Sequence, residues 1–346
     1  MLIVLGCLLA IPVGGFGASD KGSVPDLPQL APQLDLPEGR KLLYEGTFDS
    51  ERQAKKRGFW KKLLDVVAGE PTIHELIRPY SIATDSNQRI IITDPGASGV
   101  HIFDFQRHSY KFLTHTRGKD ILKSPQCVAL DQQNNIYVTD SKAGKIFVFD
   151  ATGKFRRAIG SLPGGEGYFK RPTGIAIDSA AQLIYVTDTL RNKIYVLDMQ
   201  GQVLRTIGQN GSELGQFNYP SELHLHDGNL LVVDAMNFRI QQFNGAGEVL
   251  SSFGQEGDGP GHIFRPKGLA IDTEGNYYIA DAFHSTVQVF DSGGDLLYVF
   301  GGKGIGPGEF QLPTGVAIDR DNQIFVVDSF NRRVQVFKYI GVGKNK

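Results

Sequence analysis

The chain repeats itself, and a fixed period decides an architecture before any local propensity does. A proline recurs at Pro79, Pro125, Pro172, Pro220, Pro266 and Pro313, in steps of 46, 47, 48, 46 and 47 residues. An aspartate recurs at Asp94, Asp140, Asp188, Asp234, Asp281 and Asp328, in steps of 46, 48, 46, 47 and 47. Two rulers that agree place six units over residues 77–337.

Each unit has room for four strands. In the third they are predicted at Gly174–Asp178, Leu183–Asp188, Lys193–Asp198 and Val203–Ile207. These runs are rich in Ile, Val, Tyr and Phe and are bounded by Asp, Asn and Gly, as strands are. The middle strands are almost continuously apolar, as in Leu230–Val233, which fits a sheet covered on both faces. Four-stranded sheets repeated radially cover one another in this way. The chain is therefore read as all-β, a six-bladed β-propeller.

The best-formed unit contains Pro313-Thr-Gly-Val-Ala-Ile-Asp319 and then Asp328-Ser-Phe-Asn-Arg-Arg-Val-Gln-Val-Phe337. Asp234–Phe243 and Asp188–Ile194 follow the same phrase, while Asp94–Val100 and Asp281–Val287 are looser. This phrase resembles the NHL repeat. A WD-type repeat fits less well, because Trp60 is the only tryptophan and stands outside the units. The resemblance implies several roles. Many NHL propellers are interaction platforms, some related six-bladed proteins are metal-dependent lyases or lactonases with channel-lining ligands, and a few NHL domains bind RNA through a basic face.

Before the repeats, Leu2–Val13 is an apolar run of signal-peptide length, too short for an ordinary membrane span. Small residues follow at Gly14–Ala18, but no basic residue precedes Lys21. Residues 1–18 are read as a signal peptide or N-terminal anchor, which makes the protein exported: periplasmic, secreted or membrane-anchored. Association with a membrane would run through this N-terminus. Val4–Cys7 resembles a lipobox, although the run stays apolar past Cys7. Residues 19–40, with Pro25, Pro28, Pro32 and Pro37, are read as an extended linker.

The propeller then occupies 41–346. The sixth unit ends after its third strand, and an unpaired sheet edge is a liability. Lys41–Phe48 reads as a lone strand and is expected to close that last blade. Residues 52–68 carry Phe59, Leu63 and Val66 or Val67 at helical spacing among Arg52, Lys55, Lys56, Arg57, Lys61 and Lys62. Such a basic amphipathic helix can lie on an anionic membrane, but capping a propeller face is favoured.

The chain is long enough for a large core, and its net charge of −1 gives no sign of a nucleic-acid partner. Two cysteines, Cys7 and Cys127, are too few for a disulfide framework. Cys127 is read as a small core residue.

The recurring aspartates are read as structural, accepting hydrogen bonds from turn amides and pairing with the cation five residues on: Lys145, Lys193, Arg239 or Arg333. Units one and five have Gly99 and Thr286 there and must close otherwise. The glycine-rich stretches Gly301–Gly308 and Gly257–Gly261 lack phosphate-loop spacing and fall at blade crossings.

Unit four departs from the pattern. Where others read Pro-x-Gly-x-Ala-x-Asp, it reads Pro220-Ser-Glu222-Leu-His224-Leu-His226. Strand alternation puts Glu222, His224 and His226 on one face, a set able to hold a divalent metal or do acid–base work. Three ligands within five residues of one strand rarely converge on one ion, so no cofactor is assigned. The residues after each proline, Tyr80, Gln126, Thr173, Ser221, Lys267 and Thr314, are expected to rim one channel mouth. The leading expectation is a non-catalytic platform for a protein or other extracytoplasmic ligand; a channel-centred, metal-dependent lyase or hydrolase is the rival.

Overall fold

The computed structural model describes residues 33–36, 39–55, 73–114 and 121–341. The expected signal or anchor (1–18), and the predicted helix beyond Lys55 with Phe59 and Trp60, lie outside the described residues. Of that helix the structure holds one turn, Glu51–Ala54. Its start is braced by Gln53, whose side chain accepts the Ser50 N–H at 3.1 Å. Among the described residues no helix is long and apolar enough to cross a membrane.

Six antiparallel sheets form the six blades. In blade 3 the strands are Pro172–Asp178, Leu183–Asp188, Lys193–Asp198 and Val203–Ile207, the first starting two residues earlier than its sequence predicted. Each middle strand sends alternate side chains to opposite neighbours. Ile91 packs with Val128, Ile136 and Val138 of blade 2, while Ile90 and Ile92 pack with Phe325 and Val327 of blade 6. Six apolar clusters result, one at every contact between adjacent blades, including that between blades 6 and 1. The core is thus a ring of interfaces, which explains why the middle strands need apolar residues on both faces.

The ring closes as expected. Lys41–Phe48 runs antiparallel to Arg333–Ile340, from Lys41 opposite Ile340 to Phe48 opposite Val334. Leu42 is buried between blades 5 and 6, and Phe48 between blades 6 and 1. The linker expectation needs correction at its end. Gln33–Asp35 is a strand paired with Lys41–Leu43, which makes blade 6 five-stranded. Leu36 explains it: its side chain is buried against blades 5 and 6, and its N–H bonds Arg40 O at 2.8 Å.

A second repeat escaped the sequence reading. Three residues before each proline stands a buried apolar plug: Leu76, Leu122, Phe169, Phe217, Ile263 and Phe310. In blades 2 to 5 a glycine at or just past the end of the fourth strand, Gly160, Gly208, Gly254 or Gly301, sits at positive φ against the following plug. A Cβ on Gly208 would come within 2.2 Å of the Phe217 ring, so both conformation and space require glycine.

The recurring aspartates are fully buried and structural. In every blade, however, they also accept from one or two backbone amides just before the proline of the same blade. Asp140 accepts from Lys123 and Ser124 at 2.6 and 2.9 Å, and from Lys142 and Ala143 of the following turn at 3.1 and 2.8 Å. Each carboxylate therefore ties the crossing loop to its own blade. In blades 4 and 6 side chains complete the cage. Asp234 takes Asn237, Arg239 and Gln241, and Asp328 takes Asn331, Arg333 and Gln335. Blade 3 corrects the expected cation: Arg191, not Lys193, reaches Asp188, at 3.1 Å. Units one and five close with histidines: His101 Nε2 lies 3.4 Å from Asp94 and His284 Nδ1 lies 2.8 Å from Asp281.

Candidate functional site

The first strands stand around a central channel, and alternate residues form layers along it. Two places past the proline stand Ser81, Cys127, Gly174, Glu222, Gly268 and Gly315. Four places past it stand Ala83, Ala129, Ala176, His224, Ala270 and Ala317. A cavity of about 280 Å³ is lined by that whole second layer and by Ser81, Glu222, Gly268 and Gly315 of the first. The glycines are there because the inner strands nearly touch. A Cβ on Gly268 would meet Thr314 O at 2.1 Å, and one on Gly174 would meet Glu222 Cα at 2.8 Å. His224 is thus one imidazole in a ring of five alanine methyl groups.

Glu222 of blade 4 reaches blade 2, where the Cys127 thiol donates to its Oε2 at 3.1 Å. The blade between them contributes only Gly174 to this layer. Burial raises the Glu222 carboxyl to about 7, with the thiol's hydrogen bond opposing the rise. Burial, with the Glu222 charge adding to it, also pushes the Cys127 thiol well up, so this cysteine is not a ready nucleophile. Burial lowers the His224 imidazole to about 4, helped by His226. Near neutral pH the imidazole is therefore neutral, and the carboxyl keeps its proton to higher pH than an exposed glutamate does.

His226 is not part of this lining. Its side chain is 38% exposed and lies 3.5 Å from the Asp227 carboxylate. The strand ends here because Asp227 and Gly228 both take positive φ and reverse the chain within two residues. Of the three candidate ligands the structure brings Glu222 and His224 together. Among the described residues no group of three His, Cys, Asp or Glu side chains is placed to hold a metal ion.

The six residues after the prolines divide. Gln126 turns its amide back to Ser124, with Oγ at 3.1 Å, and the Thr173 hydroxyl bonds Thr187 and Thr189 at 2.8 and 2.7 Å. The Ser221 and Thr314 hydroxyls are buried with no hydrogen-bond partner among the described residues. Tyr80 packs against the apolar cluster that contains Cys127, and Lys267 is half-buried at the start of the first strand of blade 5. Burial drives the Tyr80 hydroxyl upward and the Lys267 ammonium down to about 8, and the guanidiniums of Arg171 and Arg265 act on both.

The two ends of the propeller differ in character. The end with the first-to-second and third-to-fourth strand turns carries Asp85, Asp131, Asp178, Asp272 and Asp319, and Asp104, Asp150, Asp198 and Asp291. At the proline end, the residue two past the recurring aspartate is Leu190, Met236, Phe283 and Phe330 in blades 3 to 6, all exposed. Phe283 continues into Phe264 at 4.3 Å between ring centroids, and Phe264 into Phe238 at 5.5 Å. Tyr219 adds a further exposed ring. In blades 1 and 2 the same turn position is Gly96 and Lys142. The sequence reading passed over these residues, though the same ruler, moved by two places, finds them.

A family model described as a 6-bladed beta-propeller matches residues 112–212 and 272–341. No curated protein matches the chain significantly. Among solved structures, a virginiamycin B lyase from Staphylococcus aureus is 15% identical at a TM-score of 0.56, covering 87% of this chain and 100% of that one. A gluconolactonase from Xanthomonas campestris is 14% identical at 0.59, covering 88% and 92%. An auxiliary nutrient binding protein from Bacteroides thetaiotaomicron is 13% identical at 0.58, covering 76% and 69%. At these identities the likeness is one of fold, which hosts enzymes and binding proteins alike.

Proposed function

We propose that this chain is an exported, NHL-type, non-catalytic propeller that holds a protein or other extracytoplasmic ligand on its proline-end face. The observation that carries this reading is the exposed apolar side chain at one turn position in four successive blades, Leu190, Met236, Phe283 and Phe330. Exposed apolar groups that adjoin one another across blades mark an interaction surface. Solvation alone would favour polar residues there, as at Lys142 in blade 2. The apolar run Leu2–Val13 supports export.

A display selection with random peptides tests this. The wild-type protein is expected to enrich peptides with apolar residues, and the Phe283→Ser/Phe330→Ser variant to lose that enrichment. Equal selection by both, or none by either, would remove the basis for this face.

Glu222 and His224 favour the rival reading, a channel-centred lyase or hydrolase. A divalent metal held stoichiometrically by the purified protein and lost in His224→Ala would favour it. Metal-free protein would leave the platform reading in place.

A further inference from the structure

We propose that the channel cavity beside Glu222 and His224 binds a small organic ammonium ion, a primary amine on a compact apolar body. This goes beyond the platform reading and does not rest on it, because the cavity opens toward the other end of the propeller.

The cavity of about 280 Å³ lies between the second and fifth places past the prolines. The residues at the fifth place, Thr84, Leu130, Ile177, Leu225, Ile271 and Ile318, are all half-buried and form its rim. The next residue is Asp85, Asp131, Asp178, Asp272 or Asp319 in five of the blades. Among the described residues only Asp85 of these pairs with a cation, Arg89 at 2.6 Å. The approach to the rim is therefore negative in sign. Inside, no lysine or arginine lines the cavity, and its single acid is Glu222. That carboxylate accepts the Cys127 thiol at 3.1 Å and the Leu223 N–H at 3.3 Å. It forms no salt bridge among the described residues. A carboxylate offers about four acceptor positions, so roughly half stay open. The His224 imidazole also lines the cavity, and it has no hydrogen bond, ion pair or ring contact among the described residues.

These groups select a ligand by its charge. An anion would meet Glu222 with no lining cation to hold it. A neutral molecule would leave a buried carboxylate unpaired, which is costly. A metal ion would find two of the three or more protein ligands it needs. An ammonium group makes a charge-assisted hydrogen bond to the carboxylate and keeps two further N–H donors, one of them for the imidazole lone pair. Glu222 and His224 stand two places apart on one strand, about 7 Å by strand rise, so one ammonium between them can reach both. Burial keeps the imidazole neutral and hence able to accept. The five alanine methyl groups around His224 supply an apolar wall for the rest of the ligand. Volume sets its size: a cavity of about 150 Å³ accepts benzene, so this larger one has room for a single ring with an aminomethyl arm.

The test is calorimetric titration of the full, chelator-treated chain at pH 8, where Glu222 is ionised and the amine still protonated. The probe is benzylamine, with benzyl alcohol and benzoate titrated separately to keep the ring and change the charge. One-site saturable binding of benzylamine is expected, about tenfold or more tighter than that of benzyl alcohol, with none for benzoate. Glu222→Gln should weaken benzylamine about tenfold and erase its advantage over the alcohol, and His224→Ala should weaken it about fivefold. Asp227→Asn removes an exposed carboxylate at the same end but outside the cavity, and asparagine tolerates the positive φ there; it should bind as wild type. Thermal melts of each variant separate lost binding from lost folding. No saturable benzylamine heat, equal affinity for the alcohol, undiminished binding by Glu222→Gln, or equal weakening in Asp227→Asn would overturn the proposal. Binding that returns only when a divalent metal is restored would also overturn it, in favour of the enzyme reading. The peptide selection reads the opposite face, so the two results stand or fall separately.

Discussion

Phe48→Ala tests whether the N-terminal strand holds the ring shut. Phe48 is only 4% exposed, and its ring meets Phe103 and Phe105 of blade 1 edge-on at 5.0 and 5.1 Å. It belongs to blade 6 by hydrogen bonding and to blade 1 by packing, so it staples the two ends of the circle. Truncating a buried phenylalanine costs roughly 3–5 kcal/mol. At about 2–4 °C per kcal/mol for a domain of this order, the midpoint should fall by about 10 °C. Leu34→Ala is the control. Leu34 lies on the outermost strand at 38% exposure, and its loss should stay within about 0.5 kcal/mol. Urea titration followed by far-ultraviolet circular dichroism reads both variants. The transition should remain single, because every blade depends on two neighbours. A loss under about 1 kcal/mol for Phe48→Ala, or an early separate transition, would refute the idea that this strand is integral to a closed ring.

Four further predictions concern the channel and the blade locks. Glu222 has its folded pKa raised to about 7 from 4.5, so its contribution is fully present below pH 4.5 and lost as pH rises to about 7. Glu222→Gln should therefore gain stability relative to wild type across that window, and a flat difference in urea midpoint from pH 4.5 to 7.5 would contradict this. His224 is depressed to about 4 from 6.5, so its contribution is present above pH 6.5 and lost as pH falls toward 4; His224→Gln should be less acid-sensitive than wild type over that range. Gly268→Ala should cost roughly 1–3 kcal/mol or more, because its methyl would overlap backbone oxygen Thr314 O at 2.1 Å; a melt within a degree of wild type would show that the inner strands can part. Asp140→Ala, which abandons four backbone amides, should cost more than Arg333→Gln, which leaves the Asp328 cage two side-chain donors, as paired urea titrations would show.

What the sequence made legible follows from what a repeat encodes. Strand boundaries and the circular closure depend on alternation, turn residues and one missing strand, all local or countable along the chain. The short strand Gln33–Asp35 was hidden by prolines, since the decisive contact is Leu36 against blades 5 and 6, a tertiary fact without a local signature. The aspartate locks were half legible. A turn following Asp140 is visible in sequence, whereas amides 16 and 17 residues upstream become its partners only when the crossing loop folds back. The site was harder for a related reason. Glu222, His224 and His226 announce themselves as departures from the repeat, yet strand alternation does not say that the Asp227–Gly228 turn ends the strand and leaves His226 outside the cavity. Cys127 and Glu222 are 95 residues apart and meet because the blade between them offers a glycine. In a propeller the repeat specifies the scaffold, and residues that break it acquire meaning from the blade across the channel.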